Sequence, residues 1–209
     1  DAIRHELGLD QPVVIRYVKY MGGMLHGDMG VSYVSKTDVF DTYMEKLPAT
    51  IKLSFASILV SVLLSVPLGI YSATKQGTLQ DNISMVLAMI GLSMPNFWLG
   101  LLLIIAFSLK LHMFPSGGDQ TLSSIVLPAL TIGTGLMATL TRTTRSSMLD
   151  VLKQEYLRTA RAKGIPEKIV VMSHALRNAL IPIITIIGTQ LAGVLGGSVL
   201  TETVFAWPG

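Results

Sequence analysis

The side chains with chemistry to offer are concentrated between Arg142 and Arg177, in RTTRSSMLDVLKQEYLRTARAKGIPEKIVVMSHALR. Arg142, Arg145, Lys153, Arg158, Arg161, Lys163, Lys168 and Arg177 stand there against only Asp150, Glu155 and Glu167. Within it, Arg158, Arg161 and Lys163 alternate with the small Thr159, Ala160 and Ala162. Such a surface admits a partner closely while offering groups that pair with its carboxylates. Covalent chemistry has no comparable constellation. The chain has no cysteine, which excludes disulfides, thiolate metal ligands and thiol nucleophiles. His5, His26, His112 and His174 are scattered without ligand spacing, so no metal site is expected. Ser93 has no histidine or lysine partner for an intramembrane hydrolase. No GxxxxGK[ST] phosphate loop occurs, so ATP hydrolysis, if used, belongs to another chain. The expectation is a non-catalytic subunit with no bound cofactor.

The elements that must hold this stretch are apolar. Half of the residues are hydrophobic and 14% are charged, whereas soluble chains carry about a quarter charged residues. Four stretches, about 49–73, 83–109, 125–141 and 179–200, approach the roughly 20 residues that cross a bilayer as helix. The fold expected is therefore all-α and polytopic. Pro67, Pro95, Pro128 and Pro182 lie in or beside these spans, where membrane helices tolerate them. Pro95 with Asn96 predicts a kink in the second span that turns a polar amide inward. A basic loop between two spans marks the cytoplasmic side, because positive loops resist translocation. That places 142–177 in the cytoplasm, between two spans of a membrane protein. The basic groups sit in one loop without interleaved aromatics, which reports membrane topology rather than nucleic-acid binding.

Residues 1–48 form an extracytoplasmic amphipathic region, distinct from the transmembrane domain 49–209. A helix starting near Pro12, capped by Asp10, aligns Val14, Tyr17, Val18, Met21 and Leu25 on one face. Glycines around HGDMG predict a turn, and Asp38 caps a second short helix that ends at Leu47. No signal peptide precedes this outer segment, so an earlier span is expected, and the abrupt end at Trp207-Pro208-Gly209 implies another beyond it.

The cytoplasmic stretch reads as helix, glycine, helix. The third span continues through MLDVLKQEYLRTARAK, Gly164 stops it, Pro166 opens the next helix, and Glu167 suits its dipole. In the fourth span Gly193 and Gly197 form a GxxxG, with Gly188, Ala192 and Gly196 as a second small-residue row for close helix packing, either within the subunit or against a partner subunit. Ser93, Asn96, Thr185 and Gln190 are candidates to line a path. Lys52 and Glu202 stand near span ends, and no paired acids or bases occupy mid-span, which argues against an ion-coupled transporter.

EYLRTARAKGI followed by HALRNALIP resembles the cytoplasmic coupling loop of binding-protein-dependent ABC transporter permeases, closest to the dipeptide/oligopeptide/nickel branch. GDMGVSY, LPATIKLS, GLSMPNFWLG, LPALTIG, TRSSMLDVL and LGGSVLTETVFAWPG resemble that branch in the same order, covering nearly the whole chain. The family pattern is Glu-Ala-Ala then Gly, with Ile-x-Leu-Pro further on. Aligned on Gly164, its first three positions here are Arg158, Thr159 and Ala160, and its proline position is Arg177. Glu155 lies one turn earlier than Arg158. The resemblance implies type I ABC importer architecture and a coupling role for Glu155, Arg158, Thr159, Ala160, Arg161, Ala162, Lys163, Gly164, Ile165 and Pro166. The implied partners are membrane lipid, a second permease, two ATPase subunits that bind ATP and Mg, and an extracytoplasmic solute-binding protein. A membrane scaffold docking a signalling partner and an ion-coupled carrier are the alternatives.

Overall fold

The structure is a computed structural model that describes residues 11–196 and 198–209. Two compact units divide at Pro48 and Ala49. In the first unit, α1 (Val13–Leu25) follows Pro12, whose side chain makes no cap bond. The predicted cap Asp10 lies outside the described residues. The HGDMG turn is formed by Gly27 and Gly30 at φ of 84° and 78°, with Asp28 accepting the Gly30 amide at 2.9 Å. Asp38 caps the following helix by accepting from the Phe40 and Asp41 amides. That helix, α2, runs Val39–Thr74, so the short separate helix expected before Leu47 is instead its first turns.

In the second unit the predicted second span is broken. α3 (Leu79–Ser93) and α4 (Asn96–Lys110) meet at a bend of 97° rather than a kink. Pro95 holds φ near −59° with an extended ψ of 130° and, having no N–H, donates no hydrogen bond to the preceding turn. The final turns of α4, Ile104–Lys110, are π-helical. α5 (Leu122–Leu152) opens with a 3₁₀ turn and continues beyond the span's end at Thr141 as expected, but stops at Leu152 instead of running on to Lys163. α6 (Glu155–Ala162) is a separate helix, α7 (Glu167–Leu195) includes a π-helical stretch at Val170–Ala175, and α8 (Val199–Val204) closes the chain. Among the described residues three helices, α2, α5 and α7, are long and apolar enough to cross a membrane, and the bent α3–α4 pair makes a fourth if counted as one span. The fourth span thus ends at Leu195, not Leu200. Gly196 ends the helix, and Thr201, Glu202, Phe205 and Trp207 are buried by the chain beyond it.

α5 is the central strut. Against it α2 presents a stripe of serines, Ser54, Ser57, Ser61 and Ser65, all fully buried at three- and four-residue spacing. Ser54 and Ser57 donate back to the carbonyls of Thr50 and Leu53, while Ser65 reaches across to the Met137 carbonyl at 3.3 Å. Where the stripe continues, Gly69 abuts Thr141 and Thr144, and Gly133 abuts Ser57 and Val60. Small residues let the two backbones approach, and in an apolar solvent that close packing is what holds helices together. Among the described residues, the small-residue row of α7 does not pack within this chain, which leaves it for a partner subunit. There Gly188, Ala192, Gly193 and Gly196 are exposed, and a Cβ at Gly188 or Gly193 would meet nothing within 4 Å. Gly197 lies outside the described residues.

Two apolar cores cap the strut. One gathers Ile70, Ala73, Leu140, Met148, Leu157, Ala160, Val170, Val171 and Ala175 at the basic end. The other joins Leu53, Ala129, Ile132, Val194 and Trp207 at the opposite end. There Trp207 Nε1 donates to the Ala49 carbonyl at 3.0 Å, and the Glu202 carboxylate accepts from Thr50 and Ser198 hydroxyls.

Candidate functional site

Local propensity favours one uninterrupted helix through Leu152 and Glu155, yet the chain turns at Gln154, whose ψ is 144°. Burial is the reason. The turn lets α6 lie back on the bundle with Leu157 fully buried and Ala160 nearly so, against Met148, Val170, Val171 and Ala175. A straight continuation would carry Leu157 away from that core. Leu157→Ala removes most of a buried side chain and is expected to cost about 2–5 kcal/mol of local stability. Faster amide exchange confined to 155–165 is the measurement that checks it.

The end of α6 is a Schellman turn. Gly164, at φ 78°, occupies the left-handed position that a side chain rarely adopts. The Ile165 amide donates to the Ala160 carbonyl at 3.3 Å and the Gly164 amide to Arg161 at 2.9 Å. Ile165 then packs against the core containing Ala160, the apolar contact that accompanies this motif. Pro166 is the extended residue just before α7 rather than part of its first turn, with Glu167 the first helical residue. The second helix of the loop runs straight into the fourth span.

The two arginines of α6 already have partners within the chain. Arg158 pairs with Glu155 at 2.9 Å, and the Arg161 fork is bidentate to Glu167 at 3.0 and 2.8 Å. The bonded Glu167 carboxylate holds the Arg161 guanidinium above its ordinary pKa, so it stays charged. Arg161 therefore closes the helix–glycine–helix turn as well as facing outward, a double duty that spacing did not reveal. Glu155, Arg158, Thr159, Arg161, Ala162, Lys163, Gly164 and Pro166 are all exposed, forming one outward face.

The four candidate path residues separate. Asn96 and Gln190 share the wall of a cavity of about 620 Å³, together with Pro95, Ile132, Leu136 and Gly193. Gln190 Nε2 donates to the Leu136 carbonyl at 3.0 Å, while its Oε1 is buried without a protein partner. Ser93 and Thr185 lie elsewhere, each exposed and hydrogen-bonded to the carbonyl four residues earlier.

One constellation escaped the sequence reading. Asp81, 2% exposed, receives the Arg145 fork at 2.7 and 2.6 Å, the Ser72 hydroxyl, and the Gly77 amide at 3.0 Å. Three helices and a turn converge on one carboxylate. Arg145 was legible only as one more positive charge, since its partner lies 64 residues away.

Among the described residues, a helical bundle with membrane-length apolar helices and a basic helix seated at one end has the form of a membrane-spanning subunit. The chain belongs to the family described as binding-protein-dependent transport system inner membrane component, whose model matches residues 65–209. The N-terminal model described as the membrane component of binding-protein-dependent transport systems matches residues 1–54. The oligopeptide transport system permease protein AppB of Bacillus subtilis is 44% identical over 97% of this chain and 67% of its own length. The dipeptide permease DppB and the glutathione permease GsiC of Escherichia coli K12 are 36% and 41% identical. They match over 98% and 100% of this chain and 69% and 68% of their own lengths. Two solved structures share the fold. An inward-facing methionine ABC transporter MetNI superposes with TM-score 0.61 at 20% identity over 78% of this chain and 74% of that one. An amino acid ABC transporter gives 0.59 at 14% over 84% and 78%. This chain is accordingly a permease component of a binding-protein-dependent ABC importer, and the scaffold and ion-coupled readings are set aside.

Proposed function

We propose that this permease forms half of the translocation path for di- or oligopeptides, or a related small solute such as glutathione. It pairs with a second permease subunit, and the path opens between the two. An extracytoplasmic solute-binding protein delivers the cargo, and two ATPase subunits holding ATP and Mg drive the cycle from the cytoplasm. The cargo class follows the peptide and glutathione permeases to which the chain is similar. Asn96 and Gln190 are the side chains on the cavity wall best placed to meet a polar solute.

The observation that carries the coupling role is the seating of α6. A helix whose inner face is core and whose far end is locked by Gly164 moves as a unit with the bundle. A disordered loop would absorb the push of an ATPase, whereas a seated helix passes it on. The outer face, Glu155 to Pro166, is the proposed contact with a groove on the ATPase.

Gly164→Arg and Arg161→Glu test this in proteoliposomes holding the full assembly. Gly164→Arg forces a side chain into φ 78°, and Arg161→Glu places two carboxylates together at Glu167. Both are expected to abolish uptake and binding-protein-stimulated ATP hydrolysis while the subunits remain inserted. Unchanged transport in both returns the loop to a topology anchor.

A further inference from the structure

We infer that the Asp81–Arg145 pair is a positioning joint that makes α3 follow α5, so that displacement of α6 reaches the Pro95–Asn96 bend beside the cavity. The inference rests on the coupling role proposed above. An ion pair is a poor way merely to hold helices together, because desolvating two charges offsets most of their attraction and an apolar pair is often as stable. What a guanidinium fork on a carboxylate supplies is geometry. Two parallel hydrogen bonds fix the register and angle between α3 and α5, and the Ser72 hydroxyl ties in α2.

The joint is continuous with the seat of α6. Arg145 stands one turn before Met148, which is fully buried in the core that holds Leu157 and Ala160. Ser72 lies between Ile70 and Ala73, members of the same core. At its other end α3 is again pressed on α5. A Cβ at Gly91 would stand 2.6 Å from the Thr134 carbonyl oxygen, and just across the bend one at Gly135 would stand 2.6 Å from Oδ1 of Asn96, the first residue of α4. Held at both ends, the 15 residues of α3 form a lever about 22 Å long between the joint and the cavity.

The test uses the complete assembly in proteoliposomes, with a radiolabelled tripeptide and glutathione as transport probes. Asp81→Leu with Arg145→Met replaces the pair by apolar groups that can pack without a stranded charge. If the joint positions α3, this variant inserts and keeps binding-protein-stimulated ATP hydrolysis, but uptake per ATP falls roughly tenfold. Spin labels at Asn82→Cys and Lys153→Cys, both exposed sites in a cysteine-free chain, report the movement itself. With the joint intact their separation is the same with and without nucleotide, and in the apolar pair it changes on nucleotide addition. Unaltered uptake per ATP in the apolar pair, or a nucleotide-dependent separation with the joint intact, overturns the inference. Should the apolar pair fail to insert, Arg145→Lys, which keeps the charge and loses the fork, decides in the same way. Failure of the coupling reading looks different: Gly164→Arg then transports normally, whatever the joint variants do.

Discussion

Arg145→Ala is expected to destabilise the subunit by about 3–5 kcal/mol, the range found when one partner of a buried ion pair is removed. Asp81 would keep only the Ser72 hydroxyl and the Gly77 amide, with its charge sealed from water. Its reverse, Asp81→Asn, is expected to cost less. The Arg145 side chain is 26% exposed against 3% for Asp81, so a guanidinium without its carboxylate can still reach solvent. An asparagine can also keep accepting the Gly77 amide on its one carbonyl oxygen, while its Nδ2 donates to the Ser72 hydroxyl. Denaturant or thermal unfolding of the detergent-solubilised assembly, read on this subunit, gives the order. A cost below about 1 kcal/mol for Arg145→Ala would mean the pair behaves like an exposed surface bridge.

Gly69→Val is expected to push α2 off α5. The added Cβ would stand 2.6 Å from Thr144 Cβ, 2.8 Å from its Cγ2 and 2.9 Å from the Thr141 carbonyl oxygen. Two of those atoms belong to a side chain, the third to the backbone of the strut. Thr144→Gly as a second change would clear the first two contacts and leave the third, so only partial rescue is expected. Overpacking of this kind typically costs about 1–3 kcal/mol, and more when backbone must move. Gly188→Val is the contrasting case. Its Cβ meets open space, so the subunit should fold with a change inside about 0.5 kcal/mol. Loss of assembly with an intact subunit in Gly188→Val would place a partner on that face of α7. Equal destabilisation by Gly69→Val and Gly188→Val would contradict the packing described.

The sequence by itself determined the helical class, the approximate spans, the basic loop and the glycine turn within it. Each is a local property. Span length follows from apolar run length, loop charge from a count of Arg and Lys, and the turn from the one residue type that favours φ 78°. The family was legible for the same reason, since its motifs are short and occur in order. Tertiary structure decided the rest. Where α5 ends and α6 begins is set by the burial of Leu157 and Ala160, not by the helix formers around Gln154. Which small-residue row packs is set by the neighbour across from it. The serines of α2 have α5 against them, while the glycines of α7 face outward despite the stronger motif. Asn96 and Gln190 reach one cavity wall while Ser93 and Thr185 do not: the 97° bend at Pro95 parts Asn96 from Ser93, and five residues of helix turn Thr185 about 140° away from Gln190. The Asp81–Arg145 joint lay beyond any local reading. A carboxylate and a guanidinium separated by 64 residues become partners only when α2, α3 and α5 bring them to one point.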